Sequence, residues 1–551
     1  MSTVRSLHWD ITKKCNLRCK HCYNAEKYFN IDSDDYISEE MDLEQCLNTV
    51  RSFSEAGFKH IHFLGGEPLM SPYIYDTTEY AKKLGMTITI NSNACLLDSA
   101  AQKKLIDLKV DQFAASLDGC SASVNDAIRG SGTFERIVSN MKAFNELKSA
   151  TGYTETALVF TLTKANMKDL MLLPALAEDI GVDLIVLTTF IESGQGKEHR
   201  DVFDINIEDV CDAVENMVSS ELVRHPVPLQ IDMRPRFCQY LSAKYKVPVL
   251  YNVKNTLCSA GENVLYLEAD GNIHPCLIFQ LESGKKALKN NIFKKQQLNV
   301  ISDSITDIQS SQYWNTFLDA KNNFETAKIP TCKECEYLGE CQPCFLDYSG
   351  YNIPVSECEW TKRKERALFD DIKDNKIYIA DSVTFDESDK TIYVDDEAVI
   401  TFNNDISFEI WELLSSHENA ASIFENLKNE YDIAEEKLQY DIAVYLYMLN
   451  NNGIIHMFEQ RPEQCYALKA DLVCEHIGDE VVVFDTGKQQ FYEFHGIANS
   501  IWNNIEKMNL NDTIESVCKE YDIDMKTASD DVCIFLCDLL KKELIFKVEV
   551  I

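Results

Sequence analysis

The sequence is short of positive charge. It carries 53 lysines and arginines against 89 aspartates and glutamates, a formal net charge of −36 at pH 7. That balance speaks against nucleic acid as a partner, because a polyanion is repelled, and favours a neutral or basic one. Long apolar runs are absent too. No stretch is long enough to span a bilayer, and Met1 to Trp9 lacks the apolar core of a secretion signal. A cytoplasmic protein with no membrane partner is therefore expected. The 20 cysteines then have no oxidising compartment in which to pair. Metal ligation in a reducing cytosol is the expectation, not a disulfide scaffold. At 551 residues the chain is too long for one core, and three or four domains are expected.

What is present begins at Cys15-Asn16-Leu17-Arg18-Cys19-Lys20-His21-Cys22-Tyr23, directly after the strand-like run Ser6 to Thr12. The three thiols stand in a C-x3-C-x2-C pattern with an aromatic residue next. A closed zinc tetrahedron is the alternative, but the loop offers neither a second C-x2-C pair nor an obvious fourth ligand. Thiolates are soft ligands for iron, and a [4Fe–4S] cube wants four of them. Three leave one iron open, and a small molecule with an amine and a carboxylate can chelate it.

Over residues 1–228 strand-like and helix-like periods alternate. After the first strand, His60–Leu64, Thr87–Asn91, Gln112–Ser116, Glu155–Thr161 and Leu184–Thr188 read as strands; Glu39–Glu55, Phe134–Leu147 and Met167–Ile180 read as helices. Six strand–helix units predict a parallel sheet of α/β class, a curved, partial (β/α)6 barrel, with its site beyond the carboxyl ends of the strands. Four stretches fall at such ends. They are the cysteine loop, Leu64-Gly65-Gly66-Glu67-Pro68, Asn91-Ser92-Asn93, and Ser116-Leu117-Asp118-Gly119 with Asn125-Asp126-Ala127-Ile128-Arg129-Gly130 beyond it. Paired glycines let backbone approach a ligand closely, and a carboxylate there could accept an ammonium group. Each stretch also has a plain structural reading, as a turn or, for Arg129, a surface ion pair.

The cysteine loop resembles the signature of the radical S-adenosylmethionine (radical SAM) enzymes. The resemblance implies a cube on Cys15, Cys19 and Cys22 whose open iron holds the methionine end of SAM. It further implies that Gly65, Gly66 and Glu67 receive the methionine amine, and that Ser116 and Arg129 bind its carboxylate or the ribose region, with Asp118 nearby. Tyr23 and Asn93 join these as SAM-contacting positions. No catalytic side chain is assigned.

Residues 229–366 hold seven further cysteines: Cys258, Cys276, the run Cys332-x2-Cys335-x5-Cys341-x2-Cys344, and Cys358. They surround an expected hairpin, Val264–Pro275. A zinc ribbon would account for Cys332 to Cys344 alone and leave three cysteines over. The pattern resembles the SPASM domain, the auxiliary-cluster extension of radical SAM enzymes acting on peptides and proteins. It departs in having two residues, not three, between Cys341 and Cys344. Cys258, Cys276 and Cys344 would hold one auxiliary cluster, and Cys332, Cys335, Cys341 and Cys358 another. With the first loop the implied complement is three [4Fe–4S] clusters.

Past a charged helical connector, Thr361–Lys373, the chain repeats itself at an offset of 90 residues, as from Tyr431 to Tyr521. Tyr431-Asp432-Ile433 matches Tyr521-Asp522-Ile523; Asp441 matches Asp531; Tyr445-Leu446 matches Phe535-Leu536; Ile454-Ile455 matches Leu544-Ile545. With one residue of slippage Ile410-Trp411 matches Ile501-Trp502. Each unit, 367–460 and 461–551, reads as alternating strands (Lys390–Phe402; Glu480–Phe494) followed by three amphipathic helices, a small winged-helix-like α+β module. A DNA-binding winged helix is disfavoured by the acidic helices. Each copy resembles the PqqD-like family, the leader-recognition element of enzymes that modify ribosomally made peptides. The resemblance implies a leader bound as an added strand on a sheet edge.

Together these features point to a peptide maturase that cleaves SAM reductively, with a reductant such as flavodoxin or ferredoxin and a precursor peptide held through its leader. A thioether from a peptide cysteine is the expected product. Carbon–carbon crosslinking and epimerisation are the alternatives. An anaerobic sulfatase maturase fits less well, since that family carries an aspartate where this chain has Leu277. A non-catalytic iron–sulfur carrier or sensor has no use for Gly65-Gly66-Glu67 beside the cysteine loop.

Overall fold

The computed structural model describes residues 4–24, 40–149, 152–245, 247, 249–251, 258–277, 298–333, 335, 337–344, 356–380, 382–394, 397–402, 405–414, 419–431, 433–459, 461–478 and 480–548. The expected helix start at Glu39, part of the expected strand Lys390–Phe402, and Asp432 of the repeat lie outside them. The chain divides into two compact units, Met1–Lys362 and Arg363–Ile551.

The first unit is built on one sheet. Its strands are β1 (Ser6–Asp10), β2 (His60–Leu64), β3 (Thr87–Ser92), β4 (Gln112–Ser116), β5 (Glu155–Leu162), β6 (Leu184–Thr189), β7 (Leu229–Ile231), β8 (Val249–Tyr251), β9 (Val264–Leu267) and β10 (Ile273–His274). The order β10-β9-β1-β2-β3-β4-β5-β6-β7-β8 is parallel throughout, apart from β10 against β9. All six strands of the sequence analysis are present in that order. The sheet does not stop at residue 228, however. β7 and β8 extend one edge, while β9 pairs with β1 on the other, Ser6 opposite Val264.

Alternation sorts the side chains. Leu7, Trp9, Ile61, Phe63, Ile88 and Ile90 share one face and are fully buried. Ser6, His8, Asp10, His60, His62 and Thr89 share the other. The crossover helices are α1 (Leu43–Glu55), α2 (Ile74–Lys83), α3 (Ser99–Asp107), α4 (Ala122–Arg129), α5 (Thr133–Ser149) and α6 (Leu173–Ile180). Asp42 and Gln45 cap α1 reciprocally, which sets its start. The expected helix Met167–Ile180 is a 3-10 turn, Met167–Leu172, followed by α6. Pro174 in the first turn of α6 has no N–H to give a preceding turn, so the α-helix starts there.

The second unit contains the same arrangement twice. In the first copy Lys376–Ile379 pairs antiparallel with Ile455–Phe458, and Val383–Asp386, Thr391–Val394 and Glu397–Thr401 form a three-stranded sheet. Helices Asp405–Leu414, Ala420–Leu427 and Glu435–Asn451 lie between. In the second copy Cys465–Leu468 pairs with Ile545–Val548, and Leu472–Ile477, Glu480–Asp485 and Gln490–His495 form the sheet. Its helices are Ile497–Asn504, Leu510–Tyr521 and Met525–Lys541. The matched residues Trp411 and Trp502, Leu446 and Leu536, and Ile455 and Ile545 are all buried.

Candidate functional site

β1 delivers the chain into the cysteine loop at its carboxyl end, and the contacts of β1 with β2 continue past both strands. Ile11 N–H donates to Leu64 O at 3.1 Å, Gly66 N–H to Thr12 O at 2.9 Å, and Glu67 N–H to Lys14 O at 2.7 Å. A Cβ on Gly65 would stand 2.5 Å from Thr12 O, and one on Gly66 2.1 Å from Lys14 O. These two glycines are needed because backbone of the cysteine loop lies against them.

Glu67 follows at the same strand end. It is fully buried; Oε1 accepts from Leu69 N–H (3.0 Å) and Ser92 O–H (2.7 Å), and Oε2 from Asn93 N–H (2.8 Å). Burial pushes its carboxyl up, against the pull of those donors. These bonds join the ends of β2 and β3. Asn93 reaches the cysteine loop, its side-chain amide donating to Asn16 Oδ1 at 2.8 Å.

Ser116 ends β4, half-buried. Two residues on, Asp118 is fully buried and takes two partners on Oδ2: His21 Nε2 at 2.6 Å and Arg129 Nε at 2.5 Å. Its Oδ1 accepts from Thr161 N–H at 2.8 Å. Burial alone would raise this carboxyl, but Arg129, His21 and the Thr161 N–H together hold it below the usual range. Arg129 is thus no surface ion pair. It is tied to Asp118 while its charge acts on Cys19 and Cys22. His21, inside the cysteine motif, was not singled out by the sequence, nor was Asn16.

A second segment missed in the sequence closes on the loop from β6. Gln195 N–H donates to Cys22 O at 3.0 Å. A Cβ on Gly194 would stand 2.5 Å from Cys22 O and 2.6 Å from Tyr23 O; one on Gly196 would meet the Phe190 ring at 2.8 Å and His21 O at 3.1 Å. Phe203 is buried between the rings of His21 (6.0 Å) and Phe190 (5.9 Å). The only sequence signal was the spacing Gly194-x-Gly196 beyond a strand end.

The three thiols sense one another. Burial pushes Cys15 up to about 11, Cys19 to about 12 and Cys22 to about 11, and Cys22 acts on Cys15, Cys15 on Cys19, and Cys19 on Cys22. Such thiols keep their protons until a metal displaces them. Three soft donors on one loop, held from β2, β3, α4 and β6, are the donor type that a [4Fe–4S] cube with one open iron takes.

Cys332, Cys335, Cys341 and Cys358 line one pocket together with Arg234 and Arg236. Cys258 and Cys276 flank β9 and β10, and Cys258 N–H donates to Gln342 Oε1, two residues before Cys344, at 3.3 Å. Both sets offer thiols, the usual protein ligands of iron–sulfur clusters. Cys238 is fully buried in the helix Pro235–Tyr245.

Residues 9–173 match the profile of the radical SAM superfamily, 258–336 that of an iron–sulfur cluster-binding domain (SPASM), and 480–545 that of coenzyme PQQ synthesis protein D (PqqD). Fe-coproporphyrin III synthase of Methanosarcina barkeri is 28% identical over 38% of this chain and 49% of its own length. Mycofactocin maturase MftC of Mycolicibacterium smegmatis is 28% identical over 36% of this chain and 47% of its own. The chain thus spans about half the length of these curated relatives. Among solved structures, Streptococcus suis SuiB bound to its precursor peptide SuiA superposes with a TM-score of 0.50 at 18% identity, over 65% of this chain and 76% of SuiB. By these profile matches a radical SAM domain, a SPASM domain and a PqqD domain follow one another along the chain.

Proposed function

We propose that this chain is an oxidoreductase that cleaves SAM reductively and modifies a ribosomally made precursor peptide, joining a peptide cysteine to carbon as a thioether. The observation that carries it is the three-thiol loop clamped at the carboxyl edge of a parallel sheet, in a chain whose residues 480–545 match PqqD. The PqqD match over residues 480–545 supports a peptide substrate, and one relative is named as a maturase.

Cys15, Cys19 and Cys22 hold a [4Fe–4S] cluster in this reading, with Cys258, Cys276 and Cys344 on a second and Cys332, Cys335, Cys341 and Cys358 on a third. With SAM bound and an electron from a flavodoxin- or ferredoxin-type donor, the first cluster would supply the radical chemistry that removes one hydrogen atom from the peptide; closing the thioether would release the thiol proton and one electron, the electron passing to an auxiliary cluster. The protein's part is positional. Gly65, Gly66, Gly194 and Gly196 fix the loop backbone; Glu67 and Asn93 join β2 and β3 to it; Asp118 holds His21 and Arg129. Tyr23, Gly65, Gly66, Glu67, Asn93, Ser116, Asp118 and Arg129 are the positions proposed to contact SAM. The three-thiol set of Cys258, Cys276 and Cys344 leaves a coordination position for a substrate cysteine. The two C-terminal modules receive the leader on a sheet edge, and the strand Leu472–Ile477, exposed from Val473 onward, is such an edge.

Anaerobic incubation with SAM, reductant and a precursor encoded beside the gene tests this reading. Methionine and 5′-deoxyadenosine should form, and the peptide should lose two hydrogens and resist alkylation at the joined cysteine. Equal modification of a precursor whose core cysteines are changed to alanine would exclude the thioether and leave carbon–carbon bonding or epimerisation.

A further inference from the structure

β7 runs through Met233-Arg234 into the helix that begins at Pro235, so Arg234 and Arg236 flank the first helical residue. Both turn to the pocket of Cys332, Cys335, Cys341 and Cys358. Arg236 donates to the Cys335 sulfur at 3.8 Å. Arg234 hydrogen-bonds the Cys341 sulfur, and its charge reaches Cys332 and Cys358. It is braced by Gln342 O at 3.1 Å and by Glu357 Oε1 at 3.2 Å. Lys362, bound to Thr331 O at 3.1 Å, adds positive charge near Cys332. Glu357 opposes all three, acting on Cys341 and Cys358. In a chain of net charge −36, three cations are gathered around four thiols, with Glu357 and the Thr331-bound Glu359 (2.9 Å) as the carboxylates beside them.

A cluster on four thiolates gains a further negative charge when reduced. Fixed positive charge and N–H···S hydrogen bonds stabilise that reduced form more than the oxidised one. We propose that Arg234 and Arg236 raise the reduction potential of the cluster on Cys332, Cys335, Cys341 and Cys358. This rests on the assignment of an iron–sulfur cluster to those four residues.

The test is electron paramagnetic resonance at a series of fixed potentials on the full-length chain, reconstituted anaerobically with iron and sulfide. The relevant signal is the one that Cys335→Ser removes. Arg234→Gln and Arg236→Gln should each keep wild-type iron content and disfavour reduction at least about tenfold, about 59 mV more negative for one electron. The Arg→Lys variants should shift it less, and Glu357→Gln should shift it the other way. Unmoved potentials at full iron content would overturn the proposal. Where a glutamine variant loses iron, Glu357→Gln decides: a positive shift supports the proposal and no shift overturns it. If the wild-type chain holds no iron beyond that lost on changing Cys15, Cys19 and Cys22 to alanine, the cluster assignment itself falls.

Discussion

At Asp118 a fully buried carboxylate meets an arginine and a histidine within 2.6 Å. Removing one member of a buried pair leaves the other charge uncompensated, at a cost of about 3–5 kcal/mol. Asp118→Asn should destabilise the iron-free chain by that order near neutral pH. The pH dependence follows from the lowered carboxyl value, which Arg129 and His21 impose against burial. A folded value below the unfolded one, about 3.9, gives a stabilisation that is whole above about pH 4 and is lost as pH falls through the folded value. Urea midpoints of the wild type and Asp118→Asn should therefore converge in acid. A gap that stays constant from neutral pH downward would show that Asp118 is not held as a charged partner of Arg129.

Between elements, the close approach of β2's end to the cysteine loop is the tightest feature of the site. A Cβ on Gly66 would lie 2.1 Å from Lys14 O, a backbone atom that cannot rotate away. Gly66→Ala must displace the loop, and overpacking of this kind costs about 1–3 kcal/mol. On the proposed ligand assignment it should also remove the iron of Cys15, Cys19 and Cys22 while leaving that assigned to the other seven cysteines in place. Gly85, with φ +75° and open space around its Cβ position, is the control. Gly85→Ala carries backbone strain without touching the loop, so its iron content should match the wild type. Equal iron in the Gly66 and Gly85 variants would mean that the loop does not depend on this contact.

For the whole molecule, the division at Lys362–Arg363 separates the thiol sets, all at or before Cys358, from the repeated modules. Each unit has its own buried core. Trp9 and Trp314 are buried in the first; Trp411 and Trp502 are buried in the second. A chain ended after Arg366 should cleave SAM without peptide at close to the full rate, yet fail to modify a leader-bearing precursor. Quantifying 5′-deoxyadenosine and weighing the peptide by mass spectrometry reads both. Undiminished processing of the full precursor would make the repeated modules passengers.

The sequence by itself determined what repeats locally. Strand alternation, helix periods and C-x3-C-x2-C are properties of neighbours in the chain, so β1 to β6 and the first cysteine loop were legible. The repeat was legible because Ile410-Trp411 and Ile501-Trp502 occupy core positions where packing dictates residue type. Tertiary structure decided the partners of each polar group. Glu67 stands at a strand end, where a ligand's ammonium or three protein donors could equally satisfy it; only the fold of β3 and its turn brings Ser92 and Asn93 there. Asp118, Arg129 and His21 are joined across 97 residues between Asp118 and His21, a distance over which sequence carries no register. Gly194 and Gly196 matter only because β6 ends beside the cysteine loop. The sheet's growth past residue 228 depended on β9 finding β1, a hydrogen-bonded pairing of strands 258 residues apart, Ser6 with Val264, which no local period encodes.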